Sequence, residues 1–328
     1  KSSSGQRTNL YTREEPVGVA TLITPWNYPI AIPAWKIAPA LAAGNTVTIK
    51  PASLAPGPAI AIVEALDDAG IPDGVINLVT GSGSTVGDAL IGHDDVDAVS
   101  FTGSSAVGDV VYDLATDDGK RVQTEMGGKN PTIVSDATDI EEAADIIASG
   151  AFGVTGQACT AGSRAIVYED VYDEFVDAIV DRADAIDVGP GDECDMGPQV
   201  SEDELESTLE YIDVAAEEGA TLAAGGEALG GGRFGDGYFV APTVCTDVDP
   251  GHRIAQEEVF GPVLAVISVE GFDDAVEVAN DVNYGLSASI LTRDHTEANR
   301  FVAEVESGVA KINEKTTGLE LHVPFGGF

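Results

Sequence analysis

Short apolar runs alternate with helical stretches through the first 125 residues, and no other feature narrows the possible folds so far. Pro16 to Ile23 reads as an apolar strand that runs into PWNYP, where Pro25 and Pro29 stop sheet pairing and fix a turn. A helix is expected over about 34–43, closed by Gly44-Asn45, and a second strand over 46–50. A helix over 58–69 capped by Gly70, a strand over 74–79 and a strand over 98–101 follow. Strands of this length separated by helices predict an α/β fold with a parallel, doubly wound sheet. Such sheets bind ligands beyond the carboxyl ends of their strands. At 328 residues the chain exceeds the usual single hydrophobic core, and 44% hydrophobic composition is enough to fill two.

Two glycine-rich turns follow strands and precede helical segments, one with Gly81, Gly83 and Gly87, the other with Gly103 and Gly108. A phosphate site at a helix N-terminus needs that order, although single turns of this kind are often plain connections. Neither matches GxGxxG or the GK[ST] of a phosphate loop. Glu125 precedes Gly127-Gly128 and an Asn-Pro turn. A carboxylate held between apolar segments there would have a raised pKa and could serve as a general base near neutrality.

A helix over 140–151 leads into FGVTGQACTAGSR, where small residues leave Cys159 reachable. An accessible thiol points to covalent acyl chemistry, while a buried small hydrophobe is the plain alternative. Beyond it the pattern gives a strand over 164–168, helices over 171–186 and 202–219, a glycine-rich loop or hairpin over 225–237 and a strand pair around Phe239 and Val244. A helix over 296–305 and a strand over 308–313 end the pattern.

The formal charge is −40, from 56 acidic and 16 basic residues spread along the chain. That argues against nucleic acid as a partner and for a folded protein whose acidic surface needs counterion screening, as in halophiles. Cys159, Cys194 and Cys245 are odd in number and scattered, so no disulfide framework is expected and a reducing cytoplasm fits. No export signal is visible at the start. The longest apolar stretch, 30–49, is broken by Pro33, Lys36, Pro39 and Gly44, so no membrane span is expected.

Taken together, PWNYP, KPAS, FTGS, EMGGKNP, GQACTAGSR, EEVFGPV, NYGLSAS and PFGG resemble, in order, the motif set of the aldehyde dehydrogenase superfamily. The resemblance covers essentially the whole chain. It implies an aldehyde dehydrogenase-like pair of doubly wound, Rossmann-like domains with mainly parallel sheets. Residues 1–125 are expected to bind the dinucleotide, with an N-terminal part missing; 126–310 to carry the nucleophile; and 311–328 to return toward the cofactor domain, cut short. By position, Cys159 is similar to the family's nucleophile, Glu125 to its base, Asn27 to its oxyanion donor and Lys36 to a proton-relay lysine of some members, with a solvated helix charge as the other reading of Lys36. The cofactor residues implied are Thr24, Pro25, Trp26, Lys50, Ser53, Gly83, Gly87, Phe101, Gly103, Ser104, Gly127, Glu258 and Phe260. Many NAD-preferring members have Glu where Ser53 stands. Serine does not repel a 2′-phosphate, so NADP is expected to be preferred, with NAD as the other cofactor.

The closing stretch KINEKTTGLELHVPFGG resembles semialdehyde dehydrogenases of sugar-acid and pentose oxidation, acting on 2,5-dioxopentanoate. Succinate semialdehyde or a broad range of aldehydes is the alternative. Arg164, His322 and Phe325 are the substrate candidates, with a structural role the other reading of Arg164. The resemblance also implies a homodimer or homotetramer. Three other classes compete. Zinc chemistry needs clustered ligands, and His93, His252, His295 and His322 lack that spacing with the cysteines, so no metal is expected. A cysteine hydrolase needs a histidine beside its thiol. A structural descendant would be expected to have lost Cys159, Glu125 or Asn27, and all three are present.

Overall fold

The computed structural model describes residues 11–235, 237–319 and 322–327. The chain divides into two compact units, residues 1–126 and 127–328.

In the first unit the strands are β1 (Val19–Thr24), β2 (Thr46–Pro51), β3 (Ile76–Leu78), β4 (Ala98–Thr102) and β5 (Arg121–Glu125). Helices α1 (Ala31–Ala42), α2 (Gly57–Asp68), α3 (Asp88–Ile91) and α4 (Ser105–Asp117) connect them. The sheet order is β3-β2-β1-β4-β5, and every pair is parallel. The order reverses between β1 and β4, so the connections leave the sheet in opposite directions there and open a crevice. One face packs Leu22, Ile37, Val47 and Ile49 together; the other packs Ile23, Val99, Phe101, Val111 and Ala115. α1 begins earlier than expected because Pro33 falls within its first turn, where a missing N–H costs nothing. The Gly83–Gly87 segment forms a single π-helical turn before α3.

The second unit holds β6 (Asn130–Val134), α5 (Ile140–Phe152), β7 (Gly162–Tyr168), α6 (Tyr172–Ala185), α7 (Glu202–Glu217), β8 (Thr221–Ala224), β9 (Ala228–Leu229), β10 (Phe239–Val240) and β11 (Thr243–Thr246). It continues with α8 (Arg253–Gln256), β12 (Val263–Val269), α9 (Phe272–Asn280), β13 (Ser287–Leu291), α10 (His295–Glu304) and β14 (Val309–Ile312). The main sheet runs β14-β13-β6-β7-β12-β11-β8 and is parallel except for the β8–β11 edge. Two fully buried clusters line its faces, one around Ile166, Ile267 and Phe301, the other around Phe175, Ile179 and Val266. The first turns of α5, α6, α7 and α9 each carry two or three acidic residues, where the helix dipole favours them.

One reading of the second half needs correction. Phe239 and Val244 do not pair with each other: β10 pairs with β9 in a small hairpin, and β11 joins the main sheet. β8, α9 and β13 were not anticipated, because β8 is short and edge-exposed, α9 mixes acids with its buried residues and β13 alternates serine with apolar residues. β14 pairs in parallel with β13 at the edge of the main sheet.

Candidate active site

In the first unit, the carboxyl end of the sheet collects most of the residues singled out from sequence. Thr24 ends β1, and Pro25, Trp26 and Asn27 follow it, all three half-buried. Phe101 is buried in β4; Gly103 and Ser104 follow that strand and lead into α4. Gly103 N donates to Glu125 O at 3.1 Å, joining the ends of β4 and β5. Lys50, near the end of β2, is buried and donates to Pro51 O at 3.2 Å, and burial lowers its pKa. Ser53 is exposed and donates to Gly81 O at 3.2 Å, bringing the chain after β2 next to the chain after β3. Gly83 and Gly87 lie in the π turn beyond it.

This end of the sheet is shaped for a polar ligand. Thr24 Oγ1 is buried without a hydrogen-bond partner. Ser104 caps the 13-residue α4 without a side-chain bond to its first turn, so first-turn amide N–H groups are left for an acceptor such as a phosphate. Both features fit a dinucleotide.

Glu125 is the last residue of β5 and lies half-buried. Burial raises its pKa, opposed by the Lys36 ammonium and by a hydrogen bond from Gln123. Lys36 reaches over from α1 and donates to Ser100 Oγ at 2.6 Å, Gln123 Oε1 at 3.3 Å and Phe101 O at 3.4 Å. Burial brings its pKa down to about 8 against the opposing pull of Glu125. A solvated helix charge is therefore the wrong description of Lys36. Its ammonium belongs to a polar cluster with the carboxylate.

In the second unit, Cys159 follows a tight turn in which Val154 and Thr155 adopt positive φ of 54° and 58°. The thiol-bearing residue is neither exposed nor fully buried. Gly156, at φ 68°, is required at this turn: a Cβ there would lie 2.1 Å from Gly261 O. The Cys159 segment thus packs directly on the chain that follows Phe260. Asn130 holds the other side, its Nδ2 donating to Cys159 O and Ala161 O at 2.8 Å each while its Oδ1 accepts from Ser287 N at 3.1 Å. Asn130 was not singled out from sequence. The only signal was its place in the Asn-Pro turn.

Glu258 and Phe260 follow α8, with Phe260 at φ 56°. Glu258 Oε1 accepts from Gly128 N at 3.0 Å. A Cβ on Gly127 would sit 1.9 Å from Glu258 Oε2, so glycine is what permits this approach. Burial pushes Glu258 up to about 7, with the Gly128 N–H and Lys129 pulling the other way. Lys129, also missed from sequence, is 1% exposed with no hydrogen-bond partner for its Nζ. Burial first, then the Arg164 guanidinium, lower its pKa to about 7.

Of the substrate candidates, Arg164 is 1% exposed in β7. Its Nε, Nη1 and Nη2 donate to the carbonyls of Lys129, Val278 and Ala279 at 3.0, 2.8 and 2.9 Å. The guanidinium is committed to the backbone, and the structural reading replaces the substrate one. His322 is exposed and Phe325 half-buried in the closing segment. Glu320 and Leu321 of that stretch lie outside the described residues. Among the described residues no helix is long and apolar enough to cross a membrane.

Known proteins match the chain along its length. The aldehyde dehydrogenase family model matches residues 1–328. An alpha-ketoglutarate semialdehyde dehydrogenase of Haloferax volcanii is 70% identical over 100% of this chain and 68% of its own length. A 2,5-dioxopentanoate dehydrogenase of Saccharolobus solfataricus is 46% identical over 99% of this chain and 68% of its own. The crystal structure of betaine aldehyde dehydrogenase from Staphylococcus aureus in complex with NAD+ superimposes with a TM-score of 0.94 at 41% identity. It covers 96% of this chain, which spans 62% of that solved chain. With its motifs, its sheet order and a match along its whole length in agreement, the chain belongs to the aldehyde dehydrogenase family.

Proposed function

We propose that this protein oxidises an aldehyde to a carboxylic acid with NAD(P), and that its substrate is 2,5-dioxopentanoate, converted to 2-oxoglutarate. The observation that carries the reaction is the presence of Cys159, Glu125 and Asn27 at the matching motif positions of a family member. The substrate is supported by the names of the Haloferax and Saccharolobus relatives.

The Cys159 thiolate attacks the aldehyde carbon, forming a C–S bond and an oxyanion. The Asn27 amide donates to that oxyanion. The bound dinucleotide supplies the hydride acceptor, and the C–H bond breaks to leave a thioester on Cys159. Glu125 takes a proton from water, which attacks the thioester; the C–S bond breaks, and the acid leaves with the thiolate restored. A base with a pKa raised by burial suits this step, because it takes up a proton more readily than an exposed carboxylate. Unit 1–126 is assigned the dinucleotide and unit 127–328 the nucleophile. Thr24, Lys50, Ser53 and the start of α4 would hold the adenosine and phosphate portions, Glu258 and Phe260 the nicotinamide ribose and ring.

Ser53 supports a preference for NADP, since a serine hydroxyl neither repels a 2′-phosphate nor competes for it with a fixed charge. The Staphylococcus relative, in contrast, was solved with NAD+. A cytoplasmic homodimer or homotetramer is proposed from the family resemblance and the three free thiols.

The test is initial-rate measurement on the full-length enzyme in molar salt with 2,5-dioxopentanoate, succinate semialdehyde and propanal, each with NADP and with NAD. The expected result is a strong preference for the first substrate with NADP. Equal rates on all three would remove the substrate assignment. A much higher kcat/KM with NAD would remove the coenzyme assignment.

A further inference from the structure

Strands β4 and β5 are in parallel register with Ser100 beside Gln123, and residues 123 and 125 of β5 point to the same face. Lys36 reaches this face from α1. Its Nζ donates to Ser100 Oγ at 2.6 Å and to Gln123 Oε1 at 3.3 Å, and Ser100 Oγ in turn donates to Gln123 Oε1. Two donors on one oxygen fix the orientation of the Gln123 amide, because turning it over would set its NH2 against both. Its Nε2 is thereby aimed at Glu125 Oε1, 3.4 Å away.

We propose that Gln123 is a positioning residue for Glu125: together with Ser100 it seats the Lys36 ammonium and connects it to the carboxylate through a chain whose donors all point toward Glu125. The proposal rests on the reading of Glu125 as the base. A neutral amide carries no proton along this chain. What it does is hold the carboxylate in one place and favour its charged, accepting form. Lys36 on α1 and Gln123 on β5 are the groups in this unit that act on Glu125, and both oppose the effect of burial. Losing Gln123 removes a donor that only the deprotonated carboxylate fully uses, so the base should need a higher pH to work. Gln123 is exposed, so its contribution to folding is small.

The test is the pH profile of kcat for the full-length enzyme in molar salt, with Gln123→Leu, Ser100→Ala, Lys36→Met and Glu125→Gln. In Gln123→Leu the acid limb should move up by about one pH unit with little change in thermal midpoint or substrate KM. Ser100→Ala should move it in the same direction by less. The Gln123→Leu shift should shrink when made on Lys36→Met, the signature of two residues acting through one network. If Glu125→Gln stops turnover while the acid limb of both Gln123→Leu and Ser100→Ala stays in place, the positioning role is wrong and the base assignment stands. If Glu125→Gln retains full turnover, the base assignment itself fails and takes this proposal with it.

Discussion

Gly127 shows how a residue without a side chain can set the chemistry of its neighbour. The Glu258 carboxylate lies where a Cβ on Gly127 would be, and the Gly128 N–H holds it there. Gly127→Ala would drive Glu258 off this bond, and a hydrogen bond to a charged group is worth about 1.5–3 kcal/mol. If Glu258 grips the nicotinamide ribose, KM for the dinucleotide should rise by roughly tenfold or more, while the rate of Cys159 alkylation stays close to that of the parent. An unchanged KM would mean that Glu258 does not bind the cofactor. The sequence made such residues legible to different degrees. Glu125 and Cys159 could be singled out as candidates because a lone carboxylate or thiol among small residues contributes little to packing and offers reactive chemistry. Asn130 and Gln123 could not, because their hydrogen-bond partners lie as far as 157 residues away along the chain and are brought close only by the fold.

At the scale of elements, Arg164 joins what the chain keeps apart. From the middle of the parallel sheet it reaches the carbonyl just before β6 and two carbonyls in the last turn of α9. A helix end leaves its final carbonyls without partners, and a buried end must have them supplied. Arg164→Met would orphan three buried carbonyls at about 1–3 kcal/mol for each acceptor left unsatisfied, with partial relief by repacking. A drop in unfolding free energy of about 3 kcal/mol or more is expected by denaturant titration, with substrate KM unchanged in the protein that remains folded. A large rise in KM at unaltered stability would restore Arg164 as the substrate cation. The same elements show why the fold was partly legible. In the first unit β1 to β4 were readable because each is a short run rich in apolar residues, whereas β5, with the sequence RVQTE, carries too many polar and charged residues to read as a strand. α9 and β13 were hidden because Phe272–Asn280 mixes acids with its buried valines and alanines, and Ser287–Leu291 alternates serine with apolar residues although all five are buried. The antiparallel edge at β8 carried even less signal, since its first two residues are exposed.

For the whole molecule, a charge of −40 on 328 residues is the dominant electrostatic fact. The ion pairs among the described residues involve Arg13, Lys120, Arg182, Arg233, Arg253, Arg293, Arg300 and His93, and most pair at the surface. Exposed pairs contribute about 0–1 kcal/mol each, and they leave most of the 56 carboxyl groups without a cation. Folding gathers those charges, so self-repulsion opposes the compact state, and ions must screen it. The screening length falls from about 10 Å at 0.1 M salt to about 3 Å at 1 M. The thermal midpoint should therefore climb steeply between 0.1 and 1 M KCl and flatten above, once neighbouring carboxylates no longer sense each other. If repulsion is the cause, mild acidification at low salt should raise the midpoint in the same way, because each proton taken up by a surface carboxylate removes one negative charge. Sucrose stabilises through exclusion from the surface and leaves the charges unscreened, so at a fixed sucrose concentration the midpoint should still climb with KCl. A midpoint indifferent to KCl would show that the fold tolerates this charge unaided and that the acidic surface answers to something other than salt.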